Sequence, residues 1–226
     1  VSNDVSTESS FNEAPQQPKG LRLLASIISY ICHPVFMPII MTVALSMISP
    51  NSFTGIPQKQ MGSWYLSIGI TGTFFPLFSI ALMKPLGFID SFHMKTARER
   101  TIPLMVTMIF YFWVSHVFNS MPGVVVPLIL KVLLLGNFWG IILLFLINIF
   151  TKVSMHTAAA GGMIGIFIVL MILSPVNMIV PFFIALIIAG LVGSARLILG
   201  AHQRGDVWLG YIVGIAVQLA AYVYMK

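Results

Sequence analysis

Long apolar windows alternate with short polar breaks along this chain, at residues 21–48, 62–83, 102–119, 124–150, 157–173, 177–196 and 206–225. Each is near the ~20 residues that carry a helix across a hydrocarbon core of about 30 Å. None shows the period-two alternation of a barrel strand. In lipid every backbone N–H and C=O must be satisfied within a helix or a closed barrel, so the windows predict helices. The expected fold is all-α, a polytopic membrane helical bundle of six to seven transmembrane helices. Pro34 and Pro38 predict a kink in the first window. Residues 83–103, "MKPLGFIDSFHMKTARERTIP", are amphiphilic and predict a segment at the membrane surface. Residues 1–18 are polar and acidic, without the pattern of a secretory signal, and predict a disordered tail. Residues 19–226 then form a single membrane-embedded domain.

Composition agrees with the pattern. The chain is 58% hydrophobic and 8% charged, with a mean hydropathy of +0.97, whereas soluble domains carry roughly 25% charged residues. The net charge of +6 is spread over loops, which argues against a nucleic-acid partner and for anionic lipid or phosphate. A lone cysteine, Cys32, leaves no internal disulfide. No cofactor-binding motif is present, and no cysteine- or carboxylate-rich set predicts a metal. Gly161 with Gly165, and Gly210 with Gly214, predict close helix contacts inside the fold, or a homodimer.

Charge placement carries the first functional signal. If every window crosses, segments 84–101, 151–156 and 197–205 emerge on one face with the N-terminus. These segments and their edges hold Lys95, Arg98, Arg100, Lys152, Ser154, His156, Arg196, His202 and Asp206. Ionisable residues at a membrane edge are costly, and by default face a bundle interior or an aqueous cavity. Metal-free hydrolysis of a phosphate ester needs such a set: an imidazole to attack phosphorus, a carboxylate to orient it, cations for the equatorial oxygens, and a second imidazole to protonate the leaving alcohol. His202 and Asp206 are four residues apart, hence on one face if the last helix starts early enough. Arg196 ends the preceding window, and His156 opens another, two residues after Ser154.

Arg196, His202 and Asp206, with Ser194 upstream, resemble the third signature of the type-2 phosphatidic acid phosphatase and vanadium haloperoxidase superfamily, Ser-Arg-x-x-x-x-x-His-x-x-x-Asp. The Arg-His-Asp spacing matches, while Ala195 displaces the serine by one place. "VSMHT", residues 153–157, is similar to the second signature, Pro-Ser-Gly-His-Thr, with Val153 for proline and Met155 for glycine. The first signature, a lysine followed six residues later by Arg-Pro, has only the loose counterpart "KTARERTIP". The resemblance covers roughly residues 84–214, in the manner of a divergent, short bacterial membrane member, and the first two windows add nothing to it.

The resemblance implies that His202 is the nucleophile forming a phosphohistidine, Asp206 its orienting partner and His156 the general acid. Arg196, Lys95, Arg100, Ser154 and, less directly, Arg98 would cradle the phosphate. It also implies no metal requirement and sensitivity to vanadate. The expected activity is that of a phosphoric ester hydrolase, acting on a lipid phosphate monoester or a prenyl diphosphate whose tails stay among the membrane lipids, in a bacterial inner membrane. Phosphatidate, phosphatidylglycerophosphate, undecaprenyl diphosphate and a lipid A phosphate fit equally. The lysine and arginine count favours a cytoplasmic site, whereas bacterial relatives are expected to work on the outer face.

Other readings stand beside this one. A catalytically weak or inactive lipid-binding or scaffold protein retaining the fold would account for the degenerate first signature. A transporter would show repeated or broken spans, which the windows do not display. His33 and His116 read as buried or interfacial side chains rather than ligands.

Overall fold

A computed structural model describes residues 17–91 and 97–226. Those residues form helices and no strand, and seven segments are long and apolar enough to cross a membrane: Lys19–Ile48, Gln58–Met83, Glu99–Ser120, Leu128–Phe150, Met155–Leu173, Ile179–Ile198 and Arg204–Met225. The protein is therefore an all-α integral membrane bundle. Most of the expected tail, and Lys95, lie outside the described residues, as does the side chain of Arg98.

The first window is broken rather than kinked, which corrects the expectation that no span is interrupted. Helix α1 (Lys19–Ile31) and helix α2 (Met37–Ile48) are separated by a 3-10 turn at Pro34–Phe36. The cause is local. A residue before proline is pushed out of the helical region, and His33 sits at φ −66°, ψ 132°. Its Nδ1 accepts a hydrogen bond from the Val35 amide at 3.4 Å. Pro38 falls in the first turn of α2, where a missing N–H costs nothing. At 1.5 Å per residue α1 and α2 are only about 20 and 18 Å long, so neither crosses the core alone.

The second window is also irregular. Helix α3 (Gln58–Gly69) passes through a π turn at Ile70–Phe74 into helix α4 (Phe75–Met83). The two irregular turns are joined, because Thr73 Oγ1 donates to the carbonyl of Val35 at 3.0 Å.

Helix α5 (Ala97–Ser120) begins about five residues before its window, so Arg100 stands on a helical turn instead of in a surface loop. Glu99 in that first turn favours the helix N-terminus. Helices α6 (Leu128–Phe150), α7 (Met155–Leu173), α8 (Ile179–Ile198) and α9 (Arg204–Met225) complete the described bundle.

Of the seven spans α7 is the most buried, and it packs most closely against α9. A Cβ on Gly214 would strike the backbone of Ala158 and Gly162, and one on Gly161 would strike the backbone of Tyr211. The small-residue faces thus meet each other within the chain. That close approach fixes the start of α7 against the start of α9, which is where the polar residues gather.

Candidate functional site

The starts of α5, α7 and α9 and the ends of α1 and α8 build the site. Asp206 closes a capping box with Gln203 at the start of α9, its Oδ2 accepting from the Gln203 amide at 3.1 Å. The same oxygen accepts from His202 Nδ1 at 3.2 Å. A carboxylate locked as a cap therefore also locks the imidazole. With Nδ1 donating, the neutral ring carries its lone pair on Nε2, the nitrogen free to act.

The beginning of α7 is tied to this corner twice. The Ser154 amide donates to the carbonyl of Asp206 at 3.2 Å, and Lys152 Nζ donates to the carbonyl of Ala201 at 2.8 Å. Ser154 was expected among the phosphate ligands. Instead it is fully buried, its hydroxyl accepts from the Thr157 amide at 3.4 Å, and it is not among the residues lining the cavity. A side chain spent on capping a helix start positions that start rather than touching a ligand.

A cavity of about 550 Å³ opens here. Arg100 from α5, Lys152, His156 from α7, Arg196 from α8 and His202 all line it. No aspartate or glutamate does so among the described residues. Asp206 stands behind His202, away from the cavity wall. Arg100 is buried, and Asp206 and Glu99 are the acidic groups acting on it. Arg196 occupies the last turn of α8, the end of a helix that favours a cation. Its Nε is buried without a hydrogen-bond partner among the described residues. A buried guanidinium N–H facing a cationic cavity calls for an acceptor, and an oxyanion supplies it at the charge-assisted strength of ~1.5–3 kcal/mol per bond.

The first window contributes more than its sequence suggests. Ser29, on the last turn of α1, accepts from Arg196 Nη1 through its hydroxyl at 3.4 Å. Its carbonyl lies 3.2 Å from His156 Nε2. A carbonyl only accepts, so the neutral His156 ring carries its proton on Nε2 and offers Nδ1 as an acceptor. His33 also lines the cavity, its ring set edge-on to that of His156 with centroids 5.2 Å apart. These contacts bring Ser29 and His33 of the first window to the site, although the resemblance covers only residues 84–214 and His33 reads from the sequence as a buried side chain. The available signal was a histidine beside a proline within an apolar run, where an ionisable group is costly unless it faces a polar interior.

Electrostatics set the protonation of His202, which lies between the spans. Burial pushes its imidazole down to about 4, opposed by the hydrogen bond to Asp206 and assisted by the cations of Arg196 and Lys152. At neutral pH the ring is uncharged and its Nε2 lone pair is available.

Comparison with protein-family models, with curated proteins and with solved structures gives no match.

Proposed function

We propose that this integral membrane protein is a lipid phosphatase, hydrolysing a phosphate ester through a phosphohistidine on His202. The observation that carries the reading is the His202–Asp206 pair at the wall of a cavity shared with Arg196, Arg100, Lys152 and His156. A neutral imidazole oriented by a carboxylate, opposite cations and a second imidazole, is the set that metal-free phosphoryl transfer uses. The signature-like spacing of Arg196, His202 and Asp206 supports placing the chain near the type-2 phosphatidic acid phosphatases, and their short bacterial members support an inner-membrane location.

The steps balance as follows. The bound ester monoanion gives its proton to His156 Nδ1, His202 Nε2 attacks phosphorus, the bond from phosphorus to the lipid oxygen breaks, and that oxygen takes the proton from His156, whose ring is neutral again. Water then attacks the phosphohistidine and gives a proton to His156 Nδ1, the phosphorus–nitrogen bond breaks, and His156 passes that proton to the departing phosphate, restoring both neutral imidazoles. Arg196 and Arg100 hold the equatorial oxygens throughout, where charge develops in the transition state.

One observation favours a second reading, lipid binding without turnover. The neutral His156 ring keeps its one proton at Nε2 on the Ser29 carbonyl, so it has none to give the leaving oxygen until Nδ1 takes one up.

Phosphate release from a panel of lipid phosphates by purified protein, compared with His202→Ala and repeated with a chelator, separates the readings. Release that disappears in His202→Ala and survives the chelator is expected. Full release in His202→Ala removes the nucleophile, loss on chelation assigns the chemistry to a metal, and binding without release establishes the second reading.

A further inference from the structure

The cavity does not end at the charged rim. It continues between the helices along a wall that includes Leu104, Ile141, Leu144, Val213 and Val217, and it reaches Asn137 and Gln218. Gln218 lies just over three turns beyond Asp206 on α9, about 18 Å along the axis at 1.5 Å per residue. Asn137 lies 13 residues before the end of α6 at Phe150, about 20 Å by the same measure. Two helices thus independently give the same depth.

A polar pair lines the cavity at that depth. Gln218 is buried to 1% exposure, and its Nε2 donates to Asn137 Oδ1 at 3.1 Å, with the Leu133 carbonyl at 3.5 Å. Gly136 leaves room for the amide, since a Cβ there would collide with it. Asn137 Nδ2 and Gln218 Oε1 are buried without a partner among the described residues, so an apolar chain pressed against or past this pair leaves polar atoms desolvated and unpaired.

We infer that the interior chamber takes the single alkyl or prenyl chain of a phosphate ester and measures its length against the Asn137–Gln218 floor. This rests on the phosphatase reading for the head group and replaces the expectation that the tails stay in the bilayer. Volume sets the class of substrate. At ~30 Å³ per water-sized group, 550 Å³ holds about 18 such groups. Once the phosphoryl group is seated, roughly a dozen methylenes remain by that measure, one chain and not two. The depth of about 18 Å suits an extended chain of that order.

The test is the affinity of purified protein for a series of n-alkyl phosphonates from hexyl to octadecyl, corrected for partition into detergent, together with turnover of the matching alkyl phosphates. Phosphonates resist hydrolysis, so binding is read apart from catalysis. Affinity should climb by up to about fourfold per methylene, the increment for burying one CH₂, and stop climbing near dodecyl. Gly140 lines the chamber, and a Cβ there makes only ordinary contact, 3.5 Å from Val217. Gly140→Leu should therefore fold, keep its affinity for hexyl phosphonate, and lose at least tenfold for the dodecyl compound. Gln218→Ala should move the plateau to longer chains. Affinity that rises without a break to octadecyl, or that ignores length or Gly140→Leu, overturns the chamber while leaving catalysis standing. A length-dependent affinity with no turnover of any ester sinks the phosphatase reading and leaves the chamber.

Discussion

Ser29 holds both Arg196 and His156, the first through its hydroxyl at 3.4 Å and the second through its carbonyl at 3.2 Å. One residue on a short, broken helix therefore sets the spacing between a cation and an imidazole that belong to two other spans. Only the hydroxyl can be removed by substitution. Ser29→Ala should free Arg196 and leave His156 tied, costing about 1 kcal/mol, the worth of one hydrogen bond. In steady-state kinetics this should raise KM about fivefold with kcat nearly unchanged. A fall in kcat with KM unchanged would show that the hydroxyl acts on the chemical step instead.

Asp206 accepts from both His202 and the Gln203 amide, so its replacement tests two roles at once. Asn in its place can still cap the helix. Its side-chain amide, however, would donate to His202 Nδ1 and drive the ring proton to Nε2, removing the nucleophilic lone pair. Asp206→Asn should leave the thermal midpoint within a few degrees of the parent and lower kcat by about 10⁴, the scale of tautomer reversal in other hydrolases. Asp206→Ala should lower both.

The depressed pKa of His202 has a definite sign in the pH profile. The attacking form is neutral, and burial holds the imidazole down to about 4. The acid limb of kcat/KM, which reports the free enzyme, should therefore fall as pH drops through about 4 rather than through the ordinary histidine value near 6.5. Lys152→Ala removes one of the cations opposing the proton and should move that limb to higher pH. A limb that stays at the ordinary value in the parent would show that the ring is well solvated.

Packing of α7 on α9 depends on absent side chains. Gly214→Ala places a methyl group into the backbone of Ala158 and Gly162, and separating the helices to admit it should cost about 1–3 kcal/mol. Thermal unfolding in detergent should show a clear drop in midpoint. Gly190→Ala, on α8, meets open space and should be neutral or slightly stabilising, because alanine favours helix over glycine by ~1 kcal/mol.

What the sequence by itself determined is whatever depends on near neighbours. Seven apolar windows became seven candidate spans because lipid imposes a length and an internal hydrogen-bond rule that hydropathy records directly. His202 and Asp206 were legible as a pair from their spacing, but the pair forms without a shared helix face, since His202 stands just before Gln203, the N-cap of α9, and meets the capping carboxylate there. Tertiary structure alone decided the rest. The contact of His156 with Ser29 joins residues 127 positions apart, and such a meeting leaves no periodicity for a sequence to display. The same holds for His33, which the break at Pro34 aims at His156, and for the floor formed by Asn137 and Gln218. Ser154 shows the converse. Its place in a motif is local and visible, but whether its hydroxyl meets a ligand or caps a helix depends on how α7 seats against α9.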